Sequence, residues 1–293
     1  MDRYNKVINE SNVPVDIDFI KKEIEKISEK VAELRTAEIY TKIFNCIDLT
    51  TLNTTDSQKS VTNFIQRVND FDNEYPQFPN VAAVCVFSNF AGVVRSTLEV
   101  TGVNTAVVAG GFPSGQTFTE VKVADVALAV SEGADEVDVV MNLGMLLDGA
   151  YEELCDELIE VKHAAKEAHL KVIIESGALK TPELIRNASI LAMYSDADFI
   201  KTSTGKVYEG ASPEAAYVMC RCIREYFEKT GKKVGFKAAG GVRSAEEALL
   251  YYAIVKEVLG EEWLNNSLFR IGASSLANSI LAQMLKLSEI KYF

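Results

Sequence analysis

Short apolar runs alternate along the chain with longer stretches in which apolar residues recur every three or four positions. Eight of the runs are rich in Val, Ile and Phe and are mostly continuous, a pattern typical of strands that are covered on both faces of a parallel sheet. The predicted strands lie at about 43–49, 80–87, 105–111, 136–141, 171–176, 198–204, 234–239 and 268–273.

The stretches between the runs have the periodicity of amphipathic helices. These helices are predicted at about 57–69, 91–101, 119–132, 152–168, 182–195, 213–229, 244–259 and 275–287. Helix-start signals support several of them, including Thr181-Pro182-Glu183 and Ser212-Pro213-Glu214. Eight strand–helix alternations predict an α/β fold, a single (β/α)8 TIM barrel. A doubly wound open sheet is the alternative, but it usually has fewer strands.

An extra segment precedes the first predicted strand. Its apolar residues recur at helical spacing, which predicts an N-terminal amphipathic helix through Ile17, Ile20, Ile24, Ile27, Val31 and Leu34. We therefore expect an N-terminal helical extension, residues 1–40, and a barrel domain, residues 41–293. The extension is expected to dock over the barrel or its open bottom, and a role in subunit contact is the alternative.

The net charge of the chain argues against some classes of binding partner. With 42 acidic and 30 basic side chains, the formal net charge is −12 at pH 7. Nucleic acids and anionic membranes require a basic face, so neither is expected as a general partner. No apolar stretch approaches the length of a membrane span, and the N-terminus lacks the apolar core of a signal peptide.

The cysteine and histidine content also excludes some classes of site. Five cysteines are an odd number and show no C-x-x-C spacing, which is typical of reduced thiols in the cytoplasm. The only histidines are His163 and His169, both expected on the polar helix that precedes Lys171. A zinc site or a Ser-His-Asp triad is therefore not expected.

Two lysines stand inside predicted strands. Lys201 and Lys237 each interrupt an apolar run, where a buried ammonium group is costly and tends to lose its proton. A neutral amine is the nucleophile that condenses with a carbonyl to form a Schiff base. In a barrel the two lysines would lie on neighbouring strands, about 4.8 Å apart, and would hinder each other's protonation if both point inward. The alternative is that one or both point outward and reach solvent beneath a helix.

An acidic residue completes the candidate catalytic group. Asp138 lies within the apolar part of the fourth predicted strand. Facing the barrel centre, its carboxylate could pair with the lysines and transfer protons during imine formation. A purely structural ion pair, for example with Lys171, is the alternative, and one residue can serve both roles.

Three loops with glycine or serine residues suggest a phosphate site. They are Thr204-Gly205-Lys206, Gly240-Gly241 and Gly272-Ala273-Ser274-Ser275, which follow the sixth, seventh and eighth predicted strands. Barrels of this kind often bind phosphate at the loops after the last strands, next to a helix N-terminus. No nucleotide-binding fingerprint is present.

Six segments carry a resemblance to a known family: Asp48–Asn53, Ala134–Val140, Lys171–Glu175, Asp198–Lys206, Gly235–Arg243 and Arg270–Ser275. The run Phe-Ile-Lys-Thr-Ser-Thr-Gly-Lys at 199–206 is highly specific. From about residue 43 to 287 the chain resembles the deoxyribose-phosphate aldolases, class I aldolases built on a (β/α)8 barrel.

The resemblance implies roles for particular residues. Lys201 would form the Schiff base, Lys237 would tune its pKa, and Asp138 would transfer protons. Five residues would line the pocket near the carbon chain of the substrate: Asp48, Thr50, Asn53, Cys85 and Thr204. Six would hold the phosphate: Gly205, Lys206, Gly240, Gly241, Ser274 and Ser275.

The implied reaction is the reversible aldol cleavage of 2-deoxy-D-ribose 5-phosphate to acetaldehyde and D-glyceraldehyde 3-phosphate. Because the imine is the electron sink, no metal or organic cofactor is expected. The expected partners are a sugar phosphate and an aldehyde, and the chain could assemble as a homodimer or higher homo-oligomer. Two alternatives stay open. One is another lysine-imine sugar-phosphate aldolase or transaldolase, and the other is a non-catalytic sugar-phosphate-binding barrel, which would not need Lys201 and Lys237 together.

Overall fold

The computed structural model describes residues 3–293, and its centre is a closed barrel of eight parallel strands. Each strand pairs with the next along the chain, and the first pairs with the last. The strands are β1 (Ile47–Thr50), β2 (Ala83–Phe87), β3 (Asn104–Ala109), β4 (Glu136–Val140), β5 (His169–Ile173), β6 (Phe199–Lys201), β7 (Gly235–Ala239) and β8 (Phe269–Ala273). The predicted α/β barrel is confirmed.

Helices connect the strands and surround the barrel. Those within residues 3–293 are α1 (Arg3–Asn9), α2 (Ile17–Glu29), α3 (Ala37–Phe44), α4 (Gln58–Glu74), α5 (Ala91–Thr97), α6 (Thr119–Ser131), α7 (Leu143–Asp148), α8 (Tyr151–Ala165), α9 (Ser176–Leu179), α10 (Pro182–Tyr194), α11 (Pro213–Thr230), α12 (Ala245–Leu259) and α13 (Leu276–Leu285). Short 3-10 turns lie at Val31–Leu34, Ser88–Phe90 and Glu261–Trp263. None of the helices in this part of the chain is both long and apolar enough to cross a membrane.

Side-chain alternation along the strands separates two environments. On β4, Val137 and Val139 belong to the apolar core that lies between the sheet and the helices, whereas Glu136 and Asp138 form ion pairs with residues of other strands across the barrel interior. Successive strand residues point to opposite faces, so one strand serves both environments. The continuous burial of β4 therefore conceals a charged inner face.

The predicted strand bounds differ from the structure by three residues or more at β1, β2, β5 and β6. His169, which was expected on the helix before Lys171, begins β5. The run at 43–49 was expected to be one strand, but Ile43 and Phe44 end α3, and β1 begins only at Ile47. A short apolar run fits the buried side of a helix as well as it fits a strand. The sixth strand was expected to reach residue 204 but ends at Lys201, and the backbone N–H of Thr204 donates to the Glu175 carboxylate.

The N-terminal segment packs against the outer ring of helices. Helix α2 contacts α11 and α12, and it buries Ile20, Ile24 and Ile27 as its periodicity predicts. Ile17, which was expected on the same face, is 40% exposed. The sequence did not predict α1 or α3, and α3 continues across residue 40, the expected end of the extension.

Candidate active site

Asp138 is the centre of a buried ion-pair cluster. Its Oδ2 atom accepts hydrogen bonds from Nζ of Lys201 at 2.8 Å and from Nζ of Lys237 at 2.7 Å. Its Oδ1 atom accepts from Nζ of Lys171 at 3.0 Å. The two lysines predicted on neighbouring strands therefore both point inward, and Lys201 and Lys237 are direct register partners of β6 and β7.

The pKa shifts of these two lysines have opposite signs. Burial lowers the pKa of Lys201, the Asp138 carboxylate opposes this effect only partly, and the neighbouring Lys237 ammonium lowers the pKa further. Burial also acts on Lys237, but the carboxylates of Asp138 and Asp48 outweigh it and raise its pKa. Lys201 is therefore the amine that loses its proton more readily.

A second set of ion pairs lies deeper in the barrel. Arg270 of β8 donates from Nη1 to Asp48 at 2.6 Å and from Nη2 to Glu136 at 2.7 Å. Lys171 contacts Asp48 at 3.3 Å and also forms an ion pair with Glu136. Burial alone would raise the pKa of Asp48, Glu136 and Asp138, but the surrounding cations hold each of these pKa values below its usual range.

An open cavity of about 350 Å³ lies at the carboxyl end of the strands, where barrels of this kind hold their active sites. It is bordered by Lys201 and by the loops that follow β1, β6, β7 and β8. Ten of the residues that were predicted for the site line this cavity: Thr50, Asn53, Lys201, Thr204, Gly205, Lys206, Gly240, Gly241, Ser274 and Ser275.

The remaining four predicted residues are buried and do not line the cavity. Lys237, Asp138 and Asp48 belong to the ion-pair cluster. Cys85 lies in a small apolar cluster on the β2 and β3 side of the barrel, and burial raises the pKa of its thiol. Asp48 was expected to border the substrate. In the structure its carboxylate is fully buried in ion pairs with Lys237, Lys171 and Arg270 and does not reach the cavity.

The loop after β6 is held by specific contacts. Glu175 accepts from the backbone N–H of Thr204 at 3.1 Å and from its hydroxyl at 2.6 Å. Lys206 extends across the cavity and donates from Nζ to the backbone carbonyl of Leu52. The cation therefore lies beside the loop after β1, within the rim where the phosphate site was predicted.

Two glycines are required by the close approach of other groups. A side chain at Gly272 would lie 2.9 Å from Cε of Lys237, so this glycine leaves the path of the lysine open. Gly240 has a φ of +81°, and a side chain there would meet the backbone of Gly205 and Gly210 at 3.0 Å. The glycines thus allow the loops after β6 and β7 to meet at the cavity.

Sequence reasoning missed several residues of the site. Arg270 and Glu136 were not singled out, although Arg270 interrupts a strand-like run just as the lysines do. Arg243, which follows the Gly240-Gly241 pair, borders the cavity. Glu175 lies at the end of the fifth predicted strand, and no pattern in the sequence indicates its hydrogen bonds with Thr204. Within residues 3–293, no group of three or more His, Cys, Asp or Glu side chains is placed to hold a metal ion.

Comparison with known proteins agrees with this geometry. The model of the DeoC/LacD family aldolases matches residues 42–279. The human deoxyribose-phosphate aldolase is 42% identical over 253 residues, which cover 83% of this chain and 80% of that protein. A candidate deoxyribose-phosphate aldolase of Caenorhabditis elegans is 41% identical over 285 residues, covering 95% of this chain and 93% of that protein.

A solved structure of a candidate deoxyribose-phosphate aldolase from Coccidioides immitis matches with a TM-score of 0.69. The two chains are 27% identical, and the match covers 88% of this chain and 96% of the other. The (β/α)8 barrel and these matches define the class of the protein as a class I aldolase. The chain belongs to the DeoC/LacD family of aldolases.

Proposed function

We propose that the chain catalyses the reversible aldol cleavage of 2-deoxy-D-ribose 5-phosphate to acetaldehyde and D-glyceraldehyde 3-phosphate, with Lys201 as the Schiff-base lysine. One observation carries the proposal. Lys201 and Lys237 share one oxygen of Asp138, and of these two lysines Lys201 is the one that borders the open cavity. The named human relative supports the choice of substrate.

The reaction begins with the neutral amine of Lys201, which attacks the C1 aldehyde carbon and forms a carbinolamine. The hydroxyl of the carbinolamine takes a proton and leaves as water, which gives a protonated imine. Lys237 is the proposed source of this proton, because its ammonium group shares Asp138 with Lys201. The Asp138 carboxylate keeps both nitrogens in position.

Carbon–carbon cleavage then uses the imine as an electron sink. The C3 hydroxyl loses its proton, the C2–C3 bond breaks, and its electron pair forms the enamine. D-Glyceraldehyde 3-phosphate leaves. Protonation of the enamine at C2 and hydrolysis of the imine release acetaldehyde and restore the Lys201 amine. Asp138 and Lys237, with an ordered water, are proposed to transfer these protons.

The phosphate group is assigned to the rim formed by Gly205, Lys206, Gly240, Gly241, Ser274 and Ser275. Lys206 supplies a positive charge there, and the loop backbones approach closely enough to donate N–H groups to an anion. Ser275 immediately precedes α13, so the helix N-terminus also faces this rim. Thr50, Asn53 and Thr204 would contact the carbon chain, with Cys85 and Asp48 beneath them.

The test is a donor comparison with purified protein. We expect cleavage of 2-deoxy-D-ribose 5-phosphate, and in the reverse direction we expect condensation of acetaldehyde with D-glyceraldehyde 3-phosphate. Dihydroxyacetone phosphate should not replace acetaldehyde as the donor. Preference for the ketose donor would instead support the alternative sugar-phosphate aldolase or transaldolase, and binding without turnover would support a non-catalytic barrel.

Three further expectations remain predictions. The N-terminal extension, residues 1–40, is proposed to be a unit attached to the barrel domain, residues 41–293. A homodimer or higher homo-oligomer is to be tested by light scattering coupled to size-exclusion chromatography. A cytoplasmic location is to be tested by cell fractionation, and the five buried free cysteines are in keeping with a reducing compartment.

A further inference from the structure

The charges inside the barrel do not balance when every group is ionised. Within residues 3–293, the ion pairs of the barrel interior join three carboxylates, Asp48, Glu136 and Asp138, to four cations, Lys171, Lys201, Lys237 and Arg270. One positive charge is therefore in excess. A net charge in a buried region is costly, because little water is present to stabilise it.

The contacts indicate which cation gives up its proton. Arg270 does not deprotonate in proteins. Lys171 contacts three carboxylates, and Lys237 contacts two. Lys201 contacts Asp138 alone. Since Lys201 has the least compensation, loss of its proton neutralises the cluster with the smallest loss of attraction.

We infer that Arg270 is a positioning residue whose fixed positive charge, held by Glu136 and Asp48, keeps the Lys201 amine uncharged and so ready to attack the substrate. Arg270 does not border the cavity, and its side chain is 97% buried at the base of the cluster. It takes part of the carboxylate charge that would otherwise attract a proton to Lys201. This inference rests on the proposed function, because it assumes that Lys201 forms the imine.

Asp138, Lys237 and Cys85 act directly on Lys201, and the other charged groups of the barrel interior reach it through the ion-pair cluster. With Lys201 itself, the titratable and charged groups of this interior are Asp48 of β1, Cys85 of β2, Glu136 and Asp138 of β4, Lys171 of β5, Lys237 of β7 and Arg270 of β8. Burial keeps the Cys85 thiol neutral by raising its pKa. Glu175, beyond the end of β5, accepts a hydrogen bond from the Thr204 hydroxyl and forms none of the ion pairs of the cluster. The balance therefore depends on the three carboxylates and four cations.

The test measures the rate at which cyanoborohydride and acetaldehyde alkylate Lys201 as a function of pH, with peptide mass mapping of the product. On the acid limb the rate follows the neutral fraction of the amine. Arg270→Met removes one cation and should move the limb about one pH unit or more to higher pH, so that trapping at a fixed acidic pH slows about tenfold or more. Arg270→Lys keeps the charge and should leave the limb near its original position.

A double variant separates charge balance from a structural role. Glu136→Gln alone removes a carboxylate and should move the limb to lower pH. The variant that combines Glu136→Gln with Arg270→Met again has one cation in excess. Its acid limb should therefore lie at the same pH as that of the unaltered protein. This comparison also decides the question if Arg270→Met alone does not fold.

A matched control uses a buried ion pair outside the barrel interior. Lys122 of α6 lies 2.6 Å from Glu157 of α8, and both are buried. Lys122→Met should lower stability but leave the acid limb in place. An unmoved limb in both Arg270→Met and Glu136→Gln, or a double variant that does not return, would overturn the inference. If the unaltered protein is not alkylated at Lys201, the proposed function itself fails.

Discussion

Two amines that share one carboxylate oxygen have different surroundings, and this difference decides the chemistry of Lys201. Lys237 has a second carboxylate, Asp48, as a partner, whereas Lys201 relies on Asp138 and borders the cavity. Burial disfavours the charged form of both, but only Lys237 is fully compensated. The reactivity of the Lys201 amine thus follows from its having one carboxylate partner where Lys237 has two.

Removal of the neighbouring charge should change the pH profile. In Lys237→Leu, the Lys201 amine loses the repulsion of a neighbouring cation and is attracted more strongly by the carboxylates that Lys237 no longer neutralises. The pKa of Lys201 therefore rises. Because the neutral amine is the reactive form and is populated above the pKa, the acid limb of the pH–rate profile should move to higher pH by about one unit or more. Steady-state cleavage rates measured from pH 5 to pH 9 test this prediction. A lower maximum rate with the acid limb at an unchanged pH would refute it.

The residue scale also shows what sequence reasoning could find. Lys201, Lys237 and Asp138 were predictable because each is a charged residue within an apolar strand. Glu136 and Arg270 bear the same signature, but the meaning of their charges depends on a pairing across 134 positions of the chain. Such a pairing follows from the closure of the barrel and from the strand register, which local patterns do not specify.

At the scale of elements, the loops that follow β6, β7 and β8 converge on the cavity because all strands are parallel and end on the same side. Sequence patterns predicted this convergence once the barrel was assumed. They did not predict the short helices α7 and α9, since each has at most six residues and shows no clear period.

The loop after β6 makes a prediction about phosphate recognition. Lys206→Ala should lower kcat/KM for 2-deoxy-D-ribose 5-phosphate about tenfold to a hundredfold, chiefly through KM, because one charge-assisted contact with the phosphate is lost. Cleavage of unphosphorylated deoxyribose should hardly change. Lys22→Ala, an exposed lysine on α2, is the control. Equal losses with both sugars would count against the phosphate assignment.

Helix α2 makes a prediction about stability. Ile20 is fully buried, so Ile20→Ala should lower the free energy of unfolding by about 2–5 kcal/mol and reduce the melting temperature by several degrees. Phe19 on the same helix is 44% exposed, and Phe19→Ala should have little effect. Calorimetry compares the two variants. Equal melting temperatures for Ile20→Ala and the unaltered protein would mean that α2 does not contribute to the stability of the fold.

At the scale of the whole molecule, one cluster of charges links most of the barrel. Its ion pairs join β1, β4, β5, β6, β7 and β8, so the chemistry of the site and the closure of the barrel depend on the same side chains. Replacing one partner of a buried pair is expected to be strongly destabilising, because the other partner is left without compensation.

The same cluster should make the fold sensitive to acid. The pKa values of Asp48, Glu136 and Asp138 are lower in the folded state than their ordinary values of 3.8 and 4.5. Their contribution to stability is therefore complete above about pH 4.5 and is lost as the pH falls, by about 1.4 kcal/mol per pH unit for each carboxylate once the unfolded chain binds the proton. Melting temperatures measured from pH 7 to pH 3 should drop steeply below pH 4.5. A flat curve would show that the carboxylates titrate alike in both states.

The proposed mechanism requires that the amine of Lys201 forms the covalent bond with the substrate. The most direct measurement is borohydride reduction in the presence of acetaldehyde, followed by peptide mass mapping. We expect an ethyl group on Lys201 and none on Lys237. A Lys201→Ala variant that keeps its circular dichroism spectrum should show neither label nor turnover. An unmodified Lys201 in an active enzyme, or a label on Lys237, would contradict this mechanism.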